Sequence, residues 1–282
     1  LLTLLLGANS IEKTNKIMMP LFFLIFLILA IRVALLPGAI DGYRFMFLPR
    51  WEALANPAVW ISAMGQAFFS LSITGSGMIT YGSYLNEKED VISVSRHTAL
   101  FDTIAALVAA LVIIPACFSY QVDVGAGPGL LFITLPSILQ DIPMGRLFAV
   151  ILYAAMIFAG VSSLQNMFEA VIESLLHRFP RLNRTLALAI LCVLCFGIGV
   201  GMETIDRWGF WMDLVSIYII PIGATLGAIS WFWIMKRDRL LSAIHQGSKK
   251  PQGKLWYFLG RYVYVPIAIL LCVIALAMKV AF

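Results

Sequence analysis

Residues 56–84 read N-P-A-V-W-I-S-A-M-G-Q-A-F-F-S-L-S-I-T-G-S-G-M-I-T-Y-G-S-Y. The stretch is long enough for one membrane-crossing helix, which needs about 20 mostly apolar residues for a hydrocarbon core about 30 Å thick. Its middle does not read as a helix. Ser70, Ser72, Thr74, Gly75, Ser76 and Gly77 crowd hydroxyls and glycine into one short run. Glycine costs a helix about 1 kcal/mol relative to alanine, so unwinding here is cheap. Hydrocarbon cannot satisfy unwound backbone, which must then line a cavity or hold an ion. The same small residues also suit a close-packed helix seam. Read alone, the segment divides evenly between site and seam.

The surrounding chain settles the solvent. Hydrophobic residues make up 61% and charged residues 12%, with a mean hydropathy of +0.92. A water-soluble domain carries about a quarter charged residues. The reading is an all-α membrane protein with about seven transmembrane helices, one of them discontinuous. The spans fall at about 17–36, 57–85 (broken near 72–77), 98–120, 144–176, 186–202, 210–235 and 255–280. The run 121–143, interrupted by Gly and Pro, reads as an extracellular re-entrant or capping hairpin. The whole of 1–282 is one transmembrane domain, and residues 1–7 read as the tail of an earlier span in a longer protein.

Loop charge sets the orientation. Lys13, Lys16, Lys88, Arg96, Arg178, Arg181, Arg184, Lys236, Arg237, Arg239, Lys249, Lys250 and Lys254 fall on one side. Arg44, Arg50, Arg146, Arg207 and Lys279 fall on the other. Thirteen against five places the first set in the cytoplasm. The net charge of +5 is therefore topological and implies no nucleic-acid partner. Cys192 and Cys195 form a C-x-x-C on an apolar helix without His or acidic neighbours, which favours two packed thiols over a redox or metal site.

The neighbouring spans move the broken segment towards a site. F-A-G-V-S-S places Ser162 and Ser163 beside Gly160 in an apolar helix, and A-L-F-D-T-I carries Asp102. Intramembrane carboxylates are expensive and usually functional, although Asp102 also lies close enough to the cytoplasmic end to snorkel. Hydroxyl, carbonyl and carboxylate oxygens are what a hard monovalent cation prefers. No nucleophile–base pair or metal cluster suggests an enzyme.

W-I-S-A-M-G-Q-A-F-F-S-L-S with M-I-T-Y-G-S-Y resembles the sixth membrane helix of the neurotransmitter:sodium symporter family. F-A-G-V-S-S resembles its eighth helix and W-M-D-L-V-S-I-Y-I-I-P-I-G its tenth. The resemblance runs in register over the fifth to eleventh helices, within an inverted-repeat fold truncated at its amino terminus. It implies a sodium-coupled symporter of amino acids or small amines in the cell (inner or plasma) membrane, with two sodium sites and no organic cofactor. Ser70 and Asp102 would serve the first sodium, and Ala159, Ser162 and Ser163 the second. Phe69, Ser72, Gly75, Ser163 and Met167 would line the substrate pocket. Gln66, Phe69 and Asp213 match the outer gate, and Tyr81 and Tyr84 the inner side.

Asp102 would supply the fixed negative charge that chloride supplies in other members, which implies chloride independence. The helix halves would turn their ends towards the ligand, as in the family's bacterial type member, where discontinuous helices frame a site at the membrane midplane. Two departures stand out. The glycines read T-G-S-G, one position later than usual, with Gly75 where an aromatic or Met is common. His177 takes the place of an acidic residue at the inner end of the eighth helix, with Glu173 one turn earlier. Bland readings stand beside these roles: Asp213 as an interfacial acid, and Tyr81, Tyr84 and the tryptophans as membrane-interface anchors. The resemblance also implies that this segment alone does not transport, the first helix being outside it. A receptor or assembly subunit of the same fold is the alternative. Neither substrate identity nor oligomeric state is legible.

Overall fold

A helix leaves its first amides without partners, and side chains just ahead of it can supply them. Asn56 Oδ1 accepts from the Ala58 amide at 3.0 Å, and Asn183 Oδ1 accepts from the Thr185 amide at 2.9 Å. Asp90 Oδ1 accepts from the Ile92 and Ser93 amides at 3.2 and 3.1 Å. Each cap stands directly before an apolar run and fixes where a helix starts.

The computed structural model describes residues 8–73, 77–83, 85–125, 127, 129–140, 144–202, 208–248 and 254–278, and the regular structure among them is helical. The helices are α1 (Ala8–Ala34), α2 (Ala39–Phe47), α3 (Pro57–Ser70), α4 (Gly77–Ser83) and α5 (Val91–Tyr120). They continue as α6 (Leu130–Gln140), α7 (Gly145–Arg178), α8 (Arg184–Val200), α9 (Trp208–Ile234), α10 (Arg237–His245) and α11 (Lys254–Met278). Among the described residues α5, α7, α9 and α11 are each long and apolar enough to cross a membrane. Large apolar side chains face outward throughout: Val193 and Phe196 on α8 are 71% and 75% exposed, as lipid-solvated positions are.

The sequence expectation for the first span ends at residue 36, but the structure adds α2 at an angle of 113° to α1. Gly38, at φ +82°, makes that corner in a conformation that side chains rarely adopt. The expected hairpin contains α6, and the charged loop after α9 contains α10. The proposed tail at 1–7 lies outside the described residues.

The chain divides into two compact units, residues 1–49 with 103–166 and residues 50–102 with 167–282. In the first, Ile25, Leu29 and Val33 recur every four residues along α1 and bury against Val112 and Ala116 of α5, Leu135 and Ile138 of α6 and Leu152 of α7. α2 is drawn onto α5 because Gly42 has no Cβ; one built there would fall on the Pro115 backbone. Tyr43 OH donates to the Leu111 carbonyl at 3.4 Å beside it.

In the second unit, Ile61 of α3, Ile217 of α9 and Ala275 of α11 share a core. Leu240 and Ile244 fasten the amphipathic α10 to Tyr257 of α11. Cys272 of α11 meets the Thr225 hydroxyl of α9 at 3.3 Å, a polar contact between apolar helices.

Candidate cation site at the end of α3

α3 stops at Ser70, where the hydroxyl-rich run begins. The Ser72 amide donates to the Phe69 carbonyl at 3.0 Å, while the Ile73 amide reaches the Phe68 carbonyl five residues back at 3.1 Å. This pair of bonds is the Schellman pattern of a helix C-terminus, and it satisfies two of the last carbonyls of α3. Ser72 sits at φ 51°, a left-handed conformation sparsely used by residues other than glycine. α4 then starts at Gly77, and the Met78 amide donates back to the Ser72 carbonyl at 3.4 Å. A Cβ on Gly77 would lie 3.1 Å from the Ser72 Cβ, so glycine admits the two helix ends to close range. Residues 74–76 lie outside the described residues, and with them the sequence candidate Gly75.

The Ser70 Oγ donates to Asp102 Oδ2 at 2.9 Å and also approaches the Ala67 carbonyl at 3.5 Å. Asp102 is eleven residues into α5, about 16 Å along it at 1.5 Å per residue. Its carboxylate is turned onto the end of α3 rather than towards the start of its own helix. A hydroxyl and a carboxylate thus converge beside a helix C-terminus, whose carbonyls carry partial negative charge. Oxygen donors of this kind suit a hard cation.

α3 is held firmly behind this end. A Cβ on Gly65 would lie 2.6 Å from the Ser216 carbonyl, so α3 and α9 touch backbone to backbone there. Ser216 belongs to a π-helical turn, Leu214–Ile219, that begins directly after Asp213. Such turns are uncommon and recur at functional sites. Phe68 is buried and packs edge-on to Tyr264 at 6.2 Å, while Gln66 and Phe69 are exposed on the opposite side of α3. Asp213 itself is half-buried.

On α7, Ala159, Ser163 and Met167 follow at four-residue spacing along one face. Ser163 and Met167 are exposed, and a Cβ on the adjacent Gly160 would meet nothing within 4 Å. The side chains of Ser162 and Tyr81, and the whole of Tyr84, lie outside the described residues.

Sequence reasoning passed over one cluster. Arg184 opens α8, and its guanidinium donates to Glu169 Oε1 and Oε2 at 2.7 and 2.6 Å and to Glu173 Oε1 at 3.1 Å. The hydrogen bond to Glu169, reinforced by the charges of both acids, holds Arg184 above the ordinary arginine range. The acidic partners at this end of α7 lie one and two turns before His177, itself exposed. Their spacing of four residues was the available signal.

The sequence model of the sodium:neurotransmitter symporter family matches residues 2–281. The chain is 31% identical over 280 residues to the sodium-dependent transporter YhdH of Bacillus subtilis, covering 93% of this chain and 61% of that protein. It is 32% identical over 273 residues to the sodium-dependent transporter MJ1319 of Methanocaldococcus jannaschii, covering 90% and 54%. The crystal structure of MhsT in complex with L-phenylalanine is similar at a TM-score of 0.83 and 31% identity, over 94% of this chain and 62% of that one. The chain thus spans little more than half the length of these relatives.

Proposed function

This chain belongs to the sodium:neurotransmitter symporter family, and from that premise we propose that the protein is a sodium-coupled, chloride-independent symporter of an amino acid or related amine. The observation that carries the reading is the 2.9 Å contact between Ser70 and Asp102, thirty-two residues apart in the chain. It joins the broken helix to an intramembrane carboxylate at the position where the family resemblance expects a sodium ion. Asp102 supplies there a fixed negative charge, which removes the need for a bound anion. Ser70 and Asp102 serve the first sodium. Ala159, Ser162 and Ser163 are assigned to the second on the strength of the family motif, with Ser163 open on α7.

An amino-acid substrate is supported by the phenylalanine bound to the similar MhsT structure. Phe69, Ser72, Gly75, Ser163 and Met167 are assigned to its pocket by the same resemblance. Gly75, where an aromatic or Met is common, leaves volume for a bulky substrate side chain. Gln66, Phe69 and Asp213 form the outer gate, and Tyr81 and Tyr84 act on the inner side. Sodium binding favours the outward-facing state, and substrate closes it.

Uptake of the twenty amino acids into proteoliposomes holding the full-length protein tests the reading, since this segment alone is not expected to transport. Replacing external sodium by choline should abolish uptake, and replacing chloride by gluconate should leave it unchanged. Loss of uptake in gluconate would overturn chloride independence. Amino-acid binding indifferent to sodium would point instead to a receptor of the same fold.

A further inference from the structure

The short helix between α9 and α11 makes contacts that the transport reading does not use. α10 carries three large apolar residues, Leu240, Leu241 and Ile244. Leu240 and Ile244 are buried, and all three pack into one cluster with Tyr257 of α11 and Ile92 at the start of α5. A helix that rests on a membrane surface keeps its apolar face for lipid. α10 turns its apolar face to protein instead. The guanidinium of Arg237, its first residue, lies 5.4 Å from the centre of the Tyr257 ring and adds a cation–π contact to the same joint.

The turn after α10 meets the loop that leaves the broken helix. Gly247 sits at φ +72°, and a Cβ built there would fall on the Lys88–Glu89 backbone. Glycine alone combines that conformation with so close an approach. The segment it touches is itself a set turn. The Leu85 amide donates to the Gly82 carbonyl of α4 at 3.2 Å, and the Glu89 amide to the Asn86 carbonyl at 2.9 Å. The Lys88 amide donates to Asn86 Oδ1 at 3.1 Å, and Asp90 then caps α5. Residues 85–90 thus carry a constraint from α10 to the end of α4. Loop charge puts Lys88, Lys236, Arg237 and Arg239 on one side, the cytoplasmic one, where these contacts lie.

We propose that α10 and Gly247 form a cytoplasmic clasp tying the inner half of the broken helix, α4, to α11 and, resting on the symporter reading above, that inward opening requires the clasp to yield. A movement of α4 must either carry α10 with it or break the Gly247 contact. Hydrogen exchange of the full-length protein, read by mass spectrometry, tests the clasp. Gly247→Asn keeps the left-handed turn, which asparagine tolerates, but adds a Cβ. It should speed exchange of the α4 amides about tenfold, the order expected when a packed joint is overfilled. Ile244→Ala loosens the same joint without overfilling it and should act in the same direction. Ser242→Ala, on the exposed face of α10, should change nothing. α8, which takes no part in these contacts, should exchange as before in every variant.

Unchanged α4 exchange in either Gly247→Asn or Ile244→Ala would overturn the proposal. So would an equal rise in α8, which would mark general destabilisation. Sodium separates the clasp from its role in gating. In the unmodified protein sodium should slow α4 exchange, and Gly247→Asn should need about threefold more sodium for the same slowing, because the inward-facing state is favoured. Equal slowing at equal sodium would overturn the gating role. Sodium without effect on α4 even in the unmodified protein would count against the symporter reading, while faster α4 exchange in the two variants would still establish the clasp.

Discussion

At the scale of single residues, the protein concentrates unusual chemistry in a few positions. The charge of Asp102 and the hydroxyl of Ser70 meet at 2.9 Å. Asp102→Asn keeps the shape and the hydrogen bond but removes the charge. It should weaken sodium affinity about tenfold or more, the order expected when a charge-assisted contact loses its charge. Ser70→Ala removes one neutral ligand and should cost less. Sodium titration of substrate binding separates the two, and equal effects would argue against a charge-based role. Ser72 holds φ 51° without being glycine. Glycine relieves that strain and a β-branched residue increases it. Ser72→Val should therefore lower thermal stability by about 1–3 kcal/mol and Ser72→Gly should not, as read by unfolding in detergent.

Between elements, close backbone approach and capping decide the geometry. Gly65 touches the Ser216 carbonyl at a distance that no Cβ tolerates. Gly65→Ala should push α3 off α9 and destabilise by about 1–3 kcal/mol, the usual range for overpacking. A melting temperature equal to that of the unmodified protein would contradict the tight α3–α9 contact. Asn56→Ala should remove the α3 cap at a cost of about 1 kcal/mol. At the other end of α7, Arg184 binds both oxygens of Glu169, whose side chain is only 13% exposed, and also Glu173. Arg184 is itself half exposed, so the coupling is discounted to about 1–2 kcal/mol, above the median for surface pairs because of the network. A double-mutant cycle with Arg184→Gln and Glu169→Gln measures it, and coupling near zero would reduce the cluster to solvated charges.

For the molecule as a whole, the proposed function predicts linkage between sodium and stability. A ligand that binds only the folded protein at a hundred times its dissociation constant adds about 2.7 kcal/mol. Saturating sodium should therefore raise the melting temperature over equal choline, and Asp102→Asn should abolish most of the rise. A rise of the same size in choline would show a general salt effect.

Much of this architecture was legible beforehand, for a reason specific to membranes. Lipid offers no hydrogen bonds, so runs such as 98–120 and 255–280 had to be helices whatever they pack against; α5 runs over the first, and α11 over 255–278 of the second, the part that is described. Serine and glycine weaken a helix locally, which is why a break near 72–77 was expected; α3 ends at Ser70 and α4 begins at Gly77, with 74–76 outside the described residues. The motif resemblance named Ser70 and Asp102 together but carried no geometry of its own. Tertiary structure decided the rest. The corner between α1 and α2, the seat of Gly65 on Ser216 and the pairing of Arg184 with Glu169 depend on which surfaces meet. Backbone preference and hydropathy act within one segment, whereas those contacts join residues that the chain itself keeps apart.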